Sequence, residues 1–513
     1  MRSVLRLAAV VAALTSGLGS VAFGAPTDRS ITVVLPTDLG SLDTCDTQSA
    51  QNANILRGNV YEALTRISPV DGTIQPNLAE SWQQVSDLVW EFKLRSGVKF
   101  HDGSSFNASA AAASINRSQL GFEADGVALT CLNVDQFPDP VIAEAVDELT
   151  VRVTTKQPDP ILPLRLNYAD VGSLATQQSA DKTQSPVGTG PYSFVERVQG
   201  DVVRLTRFDG YWGEVPEVKD VAYVFRAEPS VRAGMIATGE AQIGTAISVQ
   251  DATEDGRTVT YKENRIAFLR PQSQKEPFMD PRVRQAVSLA IDRETIVPVL
   301  MGLTGSPWYQ MLGPQVNGYI PDFDEQPLAY NPELAKELIA AAKADGHPVE
   351  TEFNLVTQPT LFPNSEEVVQ AIAQNLEAVG LRPNILSVEG SVWQVYQRQP
   401  FPADQAGSLL VVSHDNQSGD ASFSFPKYIS CEGFASATCN PKIDELLLAA
   451  GEAKEEERAS LYQDAARILY TEEFGAIGIA EQARLILLGE GIHYETNPLS
   501  GFELRISDVR FNE

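Results

Sequence analysis

The pattern of apolar and polar positions predicts a mixed α/β chain whose first third is rich in strands. Short runs of apolar or alternating residues are bounded by Gly, Asp and Pro, as expected for strands that end in tight turns. These runs cover residues 31–35, 90–94, 149–153, 202–207 and 221–225.

The pattern changes near residue 280, where apolar residues recur at helical spacing. Asp280 and Asn331 each precede a proline, which predicts a capped helix start with Pro in the first turn. Ser365 begins a third helical pattern that ends at Gly380.

Strand-like runs lie on both sides of this third helix, at residues 353–356 and 384–388. The order strand, helix, strand favours a parallel pair joined by a right-handed crossover. Residues 275–480 are therefore expected to form an α/β unit. The strand-like run 484–488 after it is expected to return to the first part of the chain.

Composition and charge narrow the function. The 513 residues carry 39 basic and 67 acidic side chains, which gives a formal net charge of −28. A field of this sign repels nucleic-acid phosphates and anionic lipid headgroups, so neither is expected as a partner. This length favours two or three domains.

The N-terminal segment predicts export. Two arginines precede the apolar run 7–14, and small residues follow at positions 22 and 24. The run is shorter than the roughly 20 residues that span a bilayer, so residues 1–24 are interpreted as a cleavable signal peptide. The mature chain is expected to begin at Ala25 in the periplasm. Since no cysteine lies at the cleavage point, no lipid anchor is expected.

The four cysteines fit an oxidising compartment. They are Cys45, Cys131, Cys431 and Cys439. An even number predicts two disulfides, and three pairings are possible. The short loop between Cys431 and Cys439 favours local pairing, which leaves Cys45 with Cys131. Metal ligation is the alternative, although the spacing matches no CxxC pattern.

Motifs for covalent chemistry are absent from the sequence. It contains no HExxH, no GxSxG and no Walker loop, so a secreted hydrolase lacks support. Ser179 and Lys182 fit SxxK, but the companion motifs SDN and KTG are missing. None of the four histidines has another at i+3 or i+4, which argues against a local metal pair. We therefore expect no catalysis, no cofactor and no resident metal.

Several motifs occur in an order that resembles one family. They are SLD (41–43), NVYEAL (59–64), PNLAESW (76–82), LRSGVKFHDG (94–103), PVGTGPY (186–192), DPRVRQA (280–286) and AIDR (290–293). Each motif alone is weak, and most have a structural explanation, such as the tight turn at Gly188 and Gly190. The ordered set resembles the extracytoplasmic solute-binding proteins of family 5, which serve peptide- and nickel-type ABC importers.

The resemblance implies an α/β, bilobed periplasmic-binding-protein fold of type II with two hinge crossings. Lobe one would comprise residues 25–270, with a small subdomain at about 65–180, and the C-terminal return 481–513. Lobe two would comprise residues 271–480. A small solute would lie between the lobes, and closure would bury it for delivery to the transmembrane subunits of an ABC permease. The family pattern implies a monomer.

The resemblance also implies ligand contacts. In peptide-binding relatives a Trp and a downstream Asp line the cleft, and Trp393 and Asp415 keep their spacing. The Asp of those relatives pairs with the peptide ammonium, so Asp415 is expected to face a cationic or polyol group. The other candidate contacts are Gln48, Ala50, Phe122, Glu123, His414 and Asn416.

Two departures from the family pattern leave the ligand class open. Val412 stands where peptide binders have a second Trp, and Pro400 and Phe401 stand near the expected basic residues. A sugar-containing or opine-like solute therefore competes with a peptide. A nickel chelate, which would rely on His414, is a third ligand class. A periplasmic receptor or chaperone on the same fold competes with solute transport as the function.

Overall fold

The computed structural model shows an α/β protein built around one large mixed sheet. The described residues are 29–43, 54–68, 72–120, 122–124, 127–129, 131, 136–137, 139–177, 185–323, 328–359, 361–401, 407–416, 418–496 and 503–512.

The strands of the described residues are short except for two. They are β1 Arg29–Leu35, β2 Thr65–Ile67, β3 Ile74–Pro76, β4 Ala79–Ser86, β5 Val89–Leu94, β6 Phe122–Ala124, β7 Val127–Leu129, β8 Ile142–Asp147, β9 Thr150–Thr154, β10 Tyr192–Val198, β11 Val202–Arg207, β12 Val218–Phe225, β13 Ile243–Ile247, β14 Thr258–Pro271, β15 Gly305–Pro307, β16 Phe353–Thr357, β17 Pro383–Ser387, β18 Ser408–Asp415, β19 Ile477–Leu488, β20 Ile492–His493 and β21 Arg510–Phe511.

The longer helices lie mainly after residue 280. The α-helices of the described residues are α1 Ala108–Leu120, α2 Leu162–Arg165, α3 Leu174–Gln177, α4 Pro229–Ala237, α5 Pro281–Ala290, α6 Arg293–Met301, α7 Pro332–Ala344, α8 Ser365–Ala378, α9 Gly390–Gln397, α10 Phe425–Tyr428, α11 Pro441–Glu452 and α12 Glu455–Ile468.

The large sheet has eleven strands, and two of them run through both of its parts. Its order is β10-β11-β12-β1-β13-β19-β14-β18-β16-β17, with β15 paired to β19. We call the part with β1 and β10–β13 the first lobe, and the part with β15–β18 the second lobe. The two crossing strands are β14 and β19, which agree with the predicted pair of hinge crossings.

The crossing strands change their register at the boundary between the lobes. Lys262 pairs with Ala483, and the next paired residue is Arg265, which pairs with Gln482. The intervening Asn264 has a φ of +52°. This bulge breaks the regular ladder where a hinge is needed, because an unpaired, left-handed residue bends the strand.

A smaller antiparallel sheet, β4-β5-β9-β8, forms a separate layer in the first lobe. The helix α1 packs against it over buried apolar residues such as Phe92, Val151 and Val153. The alternating pattern of β5 and β9 places these residues on one face, as expected for a half-buried sheet.

The helix starts of the second lobe follow the sequence signals. The Asp280 carboxylate accepts a hydrogen bond from the Arg282 N–H at 2.8 Å, and the Asn331 side chain accepts one from the Leu334 N–H at 3.1 Å. The parallel pair β16 and β17 flanks α8. The predicted strand–helix–strand unit is therefore confirmed.

Two hydrophobic cores lie on the two faces of the second-lobe sheet. One contains α5, α6, α7 and α8, and the other contains α9, α11 and α12. Neighbouring residues of β18 alternate between them, with Val411 in the first core and Val412 in the second. No described helix combines the length and apolarity that a membrane span requires.

Candidate functional site

The carboxyl ends of the parallel strands in both lobes meet at the middle of the crossing strands. Ile247, at the end of β13, pairs with Leu485 of β19. Asp415, at the end of β18, pairs with Arg265 of β14, which in turn pairs with Gln482. Open α/β sheets bind ligands beyond the carboxyl ends of their strands, so this meeting point is where a site is expected.

A cavity of about 420 Å³ occupies this position. Its lining comes from the first lobe, the second lobe and both crossing strands. The lining residues are Ala246, Ile247, Glu263, Arg265, Thr304, Pro359, Leu361, Phe362, Pro363, Asn364, Gln482, Ala483, Arg484 and Leu485. The volume lies within the range of small-molecule sites.

Glu263, Arg265 and Arg484 form a charged wall on one side of the cavity, and Asp415, which is not a lining residue, pairs with Arg265. The Arg265 Nη2 atom lies 2.9 Å from Asp415 Oδ2. The Arg265 Nε atom lies 3.8 Å from Glu263 Oε2, and the Arg484 Nε atom lies 2.5 Å from Glu263 Oε1. Two acids and two bases therefore balance each other, which lowers the cost of placing them in a partly enclosed site.

Burial raises the pKa of Glu263, and the guanidiniums of Arg484 and Arg265 act in the opposite direction. The Glu263 side chain is only 3% exposed, whereas the Arg484 side chain is 38% exposed. The arginines rather than the carboxylates are therefore the solvent-facing part of this charged wall.

The remaining wall is largely apolar. The loop after β16 contributes Leu361, Phe362 and Pro363, and the first lobe contributes Ile247. Phe362 is anchored in the second-lobe core. An apolar wall opposite a few fixed polar groups is the usual composition of a pocket that binds a small organic molecule.

The predicted site residues lie on both faces of the second-lobe sheet. Asp415 follows the face of Arg265, whereas His414 points to the opposite face because neighbouring strand residues alternate. His414 Nε2 lies 2.7 Å from Ser424 Oγ, and its ring stacks on Phe423 with centroids 5.7 Å apart. Burial lowers the pKa of His414 to about 3.

Trp393 and Asn416 have partners within the second lobe. The indole N–H of Trp393 donates to the Val411 carbonyl at 3.1 Å, and the ring packs in the core with 7% exposure. The Asn416 amide donates to Ser424 Oγ at 2.8 Å, and its backbone carbonyl accepts from the Asn264 side chain at 2.9 Å. The hydrogen bond from Asn264 ties the end of β18 to the hinge bulge.

The other predicted contacts fall on parts of the chain that are not fully described. Gln48 and Ala50 lie outside the described residues. The backbone of Phe122 and Glu123 forms β6, and their side chains lie outside the described atoms.

One predicted disulfide is confirmed. Cys431 and Cys439 are bonded, and they close the loop between α10 and α11. Cys131 is also disulfide-bonded. Its predicted partner, Cys45, lies outside the described residues. Within the described part of the chain, no group of three or more His, Cys, Asp or Glu side chains is arranged to hold a metal ion.

The sequence patterns do not single out Glu263, Arg265 and Arg484 as site residues. A signal for them exists, because Glu263 and Arg265 are charged residues two positions apart in a segment that continues as an apolar strand. Spacing by two places them toward one face of a strand. A charged residue among buried neighbours needs a partner of opposite charge. Arg484, in the other crossing strand, is such a partner for Glu263.

Comparisons with known proteins find similarity to bacterial solute-binding proteins. The family model described as "Bacterial extracellular solute-binding proteins, family 5 Middle" matches residues 73–429. The glutathione-binding protein GsiB of Pectobacterium atrosepticum is 26% identical over 460 residues, which cover 85% of this chain and 86% of that protein. The di/tripeptide-binding protein 2 of Pseudomonas aeruginosa is 27% identical over 454 residues, which cover 80% of this chain and 82% of that protein.

Solved structures show the same fold. HbpA2 of Haemophilus parasuis superposes with a TM-score of 0.82 at 22% identity, over 94% of this chain and 100% of that one. The predicted bilobed α/β fold is therefore confirmed.

Proposed function

Since the chain belongs to family 5 of the bacterial extracellular solute-binding proteins, we propose that it carries a small polar solute to an ABC importer. A short peptide is the first candidate, and a sugar- or opine-like conjugate is the second. The protein acts in the periplasm as a monomer, after removal of residues 1–24, and performs no covalent chemistry.

The observation that carries this proposal is the cavity lined by both lobes. Ala246 and Ile247 come from the first lobe, whereas Leu361 and Phe362 come from the second. A solute that contacts both walls binds the closed arrangement better than the open one, so binding stabilises closure. The importer then receives a closed, loaded protein.

Two relatives support the peptide class. The similar protein of Pseudomonas aeruginosa is named for di- and tripeptides, and the protein of Pectobacterium atrosepticum is named for glutathione, a tripeptide. A cavity of about 420 Å³ suits a ligand of that size.

Thermal unfolding of the mature protein in the presence of candidate solutes tests the proposal. The panel contains di- and tripeptides, oligosaccharides, opine-like conjugates and nickel chelates. A ligand present at 100 times its Kd stabilises the protein by about 2.7 kcal/mol, which is a clear shift in Tm. No shift with any class would contradict solute binding and favour a receptor or chaperone function.

A cavity-filling variant links binding to this site. Ala483→Leu adds bulk to the cavity lining, and the same change at the exposed Ala344 on α7 is the control. We expect the first variant to weaken solute binding by about tenfold or more and the second to leave it unchanged. Equal binding by both variants would place the ligand elsewhere.

A further inference from the structure

We propose that the cavity recognises its solute through an anionic group, a carboxylate, which the guanidiniums of Arg265 and Arg484 hold together. The inference rests on the proposed function and names the chemical class that this site selects. It assigns Asp415 the role of positioning Arg265 rather than that of receiving a ligand ammonium.

The arginine side chains at the cavity are more exposed than the carboxylates that they contact, which supports this assignment. The Arg265 and Arg484 side chains are 24% and 38% exposed. The carboxylates that they contact are less accessible, at 13% for Asp415 and 3% for Glu263. An incoming solute therefore meets guanidinium groups before it meets carboxylate oxygens.

The pairing of Asp415 is built into the sheet register. Asp415 and Arg265 are direct partners across β18 and β14, and the side-chain atoms Oδ2 and Nη2 lie 2.9 Å apart. A ligand ammonium could reach Asp415 only by competing with this strand partner. Breaking a mostly buried charge pair is costly because one charge is left without compensation.

Arg484, on the other crossing strand, is held by an ion pair with Glu263 rather than by its register partner Tyr261. Its Nε atom lies 2.5 Å from Glu263 Oε1, and Glu263 belongs to the hinge bulge. The planar fork of a guanidinium matches a carboxylate and can bind it with two hydrogen bonds. Two forks fixed by buried acids form a preorganised anion site between the lobes.

The apolar wall defines the rest of the ligand. Leu361, Phe362 and Pro363 line the cavity together with the two arginines. A solute that fits both surfaces has a carboxylate directly attached to an uncharged segment. A short peptide with a free C-terminus has this form, and so does an opine-like conjugate.

Calorimetric titration with blocked peptides tests the assignment. The probes are trialanine, N-acetyl-trialanine and trialanine amide, together with maltotriose and an opine-like conjugate with and without methyl esterification. We expect blocking of the carboxylate to weaken binding by at least about tenfold, and blocking of the amine to change Kd by less than about threefold.

The possible outcomes separate the two proposals. If the amide binds as tightly as trialanine, or acetylation is the more damaging change, the inference is wrong and solute binding stands. If maltotriose binds while every carboxylate-bearing probe fails, the same conclusion holds. If no probe binds, both proposals are contradicted.

Variants then assign the anion site to named residues. Arg265→Gln and Arg484→Gln should each reduce the ratio of affinities between trialanine and trialanine amide toward one. The control is Lys262→Gln, which removes a β14 cation paired with Glu481 at 2.6 Å and outside the cavity lining. An unchanged ratio in both arginine variants would overturn the inference, because loss of stability alone weakens all probes alike.

Discussion

Arg165 of the first lobe donates a hydrogen bond to the Ser422 hydroxyl of the second lobe at 3.2 Å. The Arg165 side chain is 5% exposed, and its other groups bind Asp159 at 2.8 Å and the Gln136 carbonyl at 2.7 Å. Contacts within the first lobe therefore fix the position of the Arg165 guanidinium that contacts Ser422. This contact exists only while the lobes are together, so it favours the closed arrangement.

Ser422→Ala should weaken solute binding by about tenfold to a hundredfold, because a hydrogen bond to a charged group contributes about 1.5–3 kcal/mol. The hydroxyl also interacts with Tyr462 inside the second lobe. Tyr462→Phe is therefore the matched control, since it removes the interaction within one lobe and leaves the one between lobes. Isothermal titration measures both. Equal affinities in the wild type and Ser422→Ala would show that the contact does not bias closure.

The sequence predicts the second-lobe helices well because their signals are local. Asp280 is such a signal, since it caps the helix that follows it. The charged wall of the cavity has no comparable local signal, because Arg265 and Arg484 are 219 positions apart and meet only through the register of β14 and β19.

The expected role of Asp415 illustrates the same limit. Its spacing from Trp393 suggests the position of the family's aspartate, but its strand partner Arg265 is visible only in the paired sheet. Burial of Trp393 likewise depends on how α9 packs on the sheet, which spacing alone does not specify. Pairing and packing across the fold, rather than local pattern, decide which side chains reach a site.

The contribution of His414 to the stability of the protein should fall in mild acid, because this partly buried imidazole is held without charge. Its pKa is lowered to about 3, mainly by burial, from 6.5 in the unfolded chain. Between these values the unfolded chain binds a proton that the folded chain does not. The free energy of unfolding therefore decreases as the pH falls, by up to about 1.4 kcal/mol per pH unit.

His414→Gln should flatten this dependence. Urea unfolding at about pH 6 and pH 4.5 gives the change in unfolding free energy between the two pH values. This change should be about 2 kcal/mol larger in the wild type than in the variant. The surface substitution His493→Gln is the control, since that side chain is 58% exposed. Identical slopes in the wild type and His414→Gln would mean that His414 does not resist protonation in the fold.

Arg232 supports the first-lobe wall of the cavity. The residue is 2% exposed. Its guanidinium donates to the Thr245, Arg226 and Ala227 carbonyls at 2.9, 2.7 and 2.6 Å, and also to the Ala246 carbonyl. Ala246 lines the cavity and has a φ of +51°. The four hydrogen bonds hold this unfavourable backbone conformation in place.

Arg232→Met should cost about 3 kcal/mol or more of folding stability, because buried carbonyls lose their donors, and should also weaken solute binding. Arg204→Met is the matched control. Arg204 is 51% exposed and pairs with Glu196 on the surface, so its loss should change stability by less than about 1 kcal/mol. Chemical denaturation and titration measure both effects. If Arg232→Met bound solute normally, the four hydrogen bonds of Arg232 would not be needed to shape the cavity wall.

Gly302 and Val249 meet where the lobes approach each other beside the cavity. Val249 follows β13 of the first lobe, and Gly302 follows α6 of the second. A methyl group on Gly302 would lie 3.2 Å from Val249 Cγ1, which is closer than ordinary packing. Gly302 also has φ +53° and ψ −130°, a combination that side chains disfavour.

Gly302→Ala should therefore act in two separable ways. Backbone strain should lower the unfolding free energy by about 1–3 kcal/mol, and the contact with Val249 should oppose closure and weaken solute binding. Adding Val249→Ala should restore affinity without restoring stability, because it removes the steric contact and leaves the strain. Gly346→Ala is the control for strain alone, since Gly346 has a φ of +92° and no atom within 4 Å of the added carbon. If the double variant binds as weakly as Gly302→Ala, the contact between residues 302 and 249 has no part in closure.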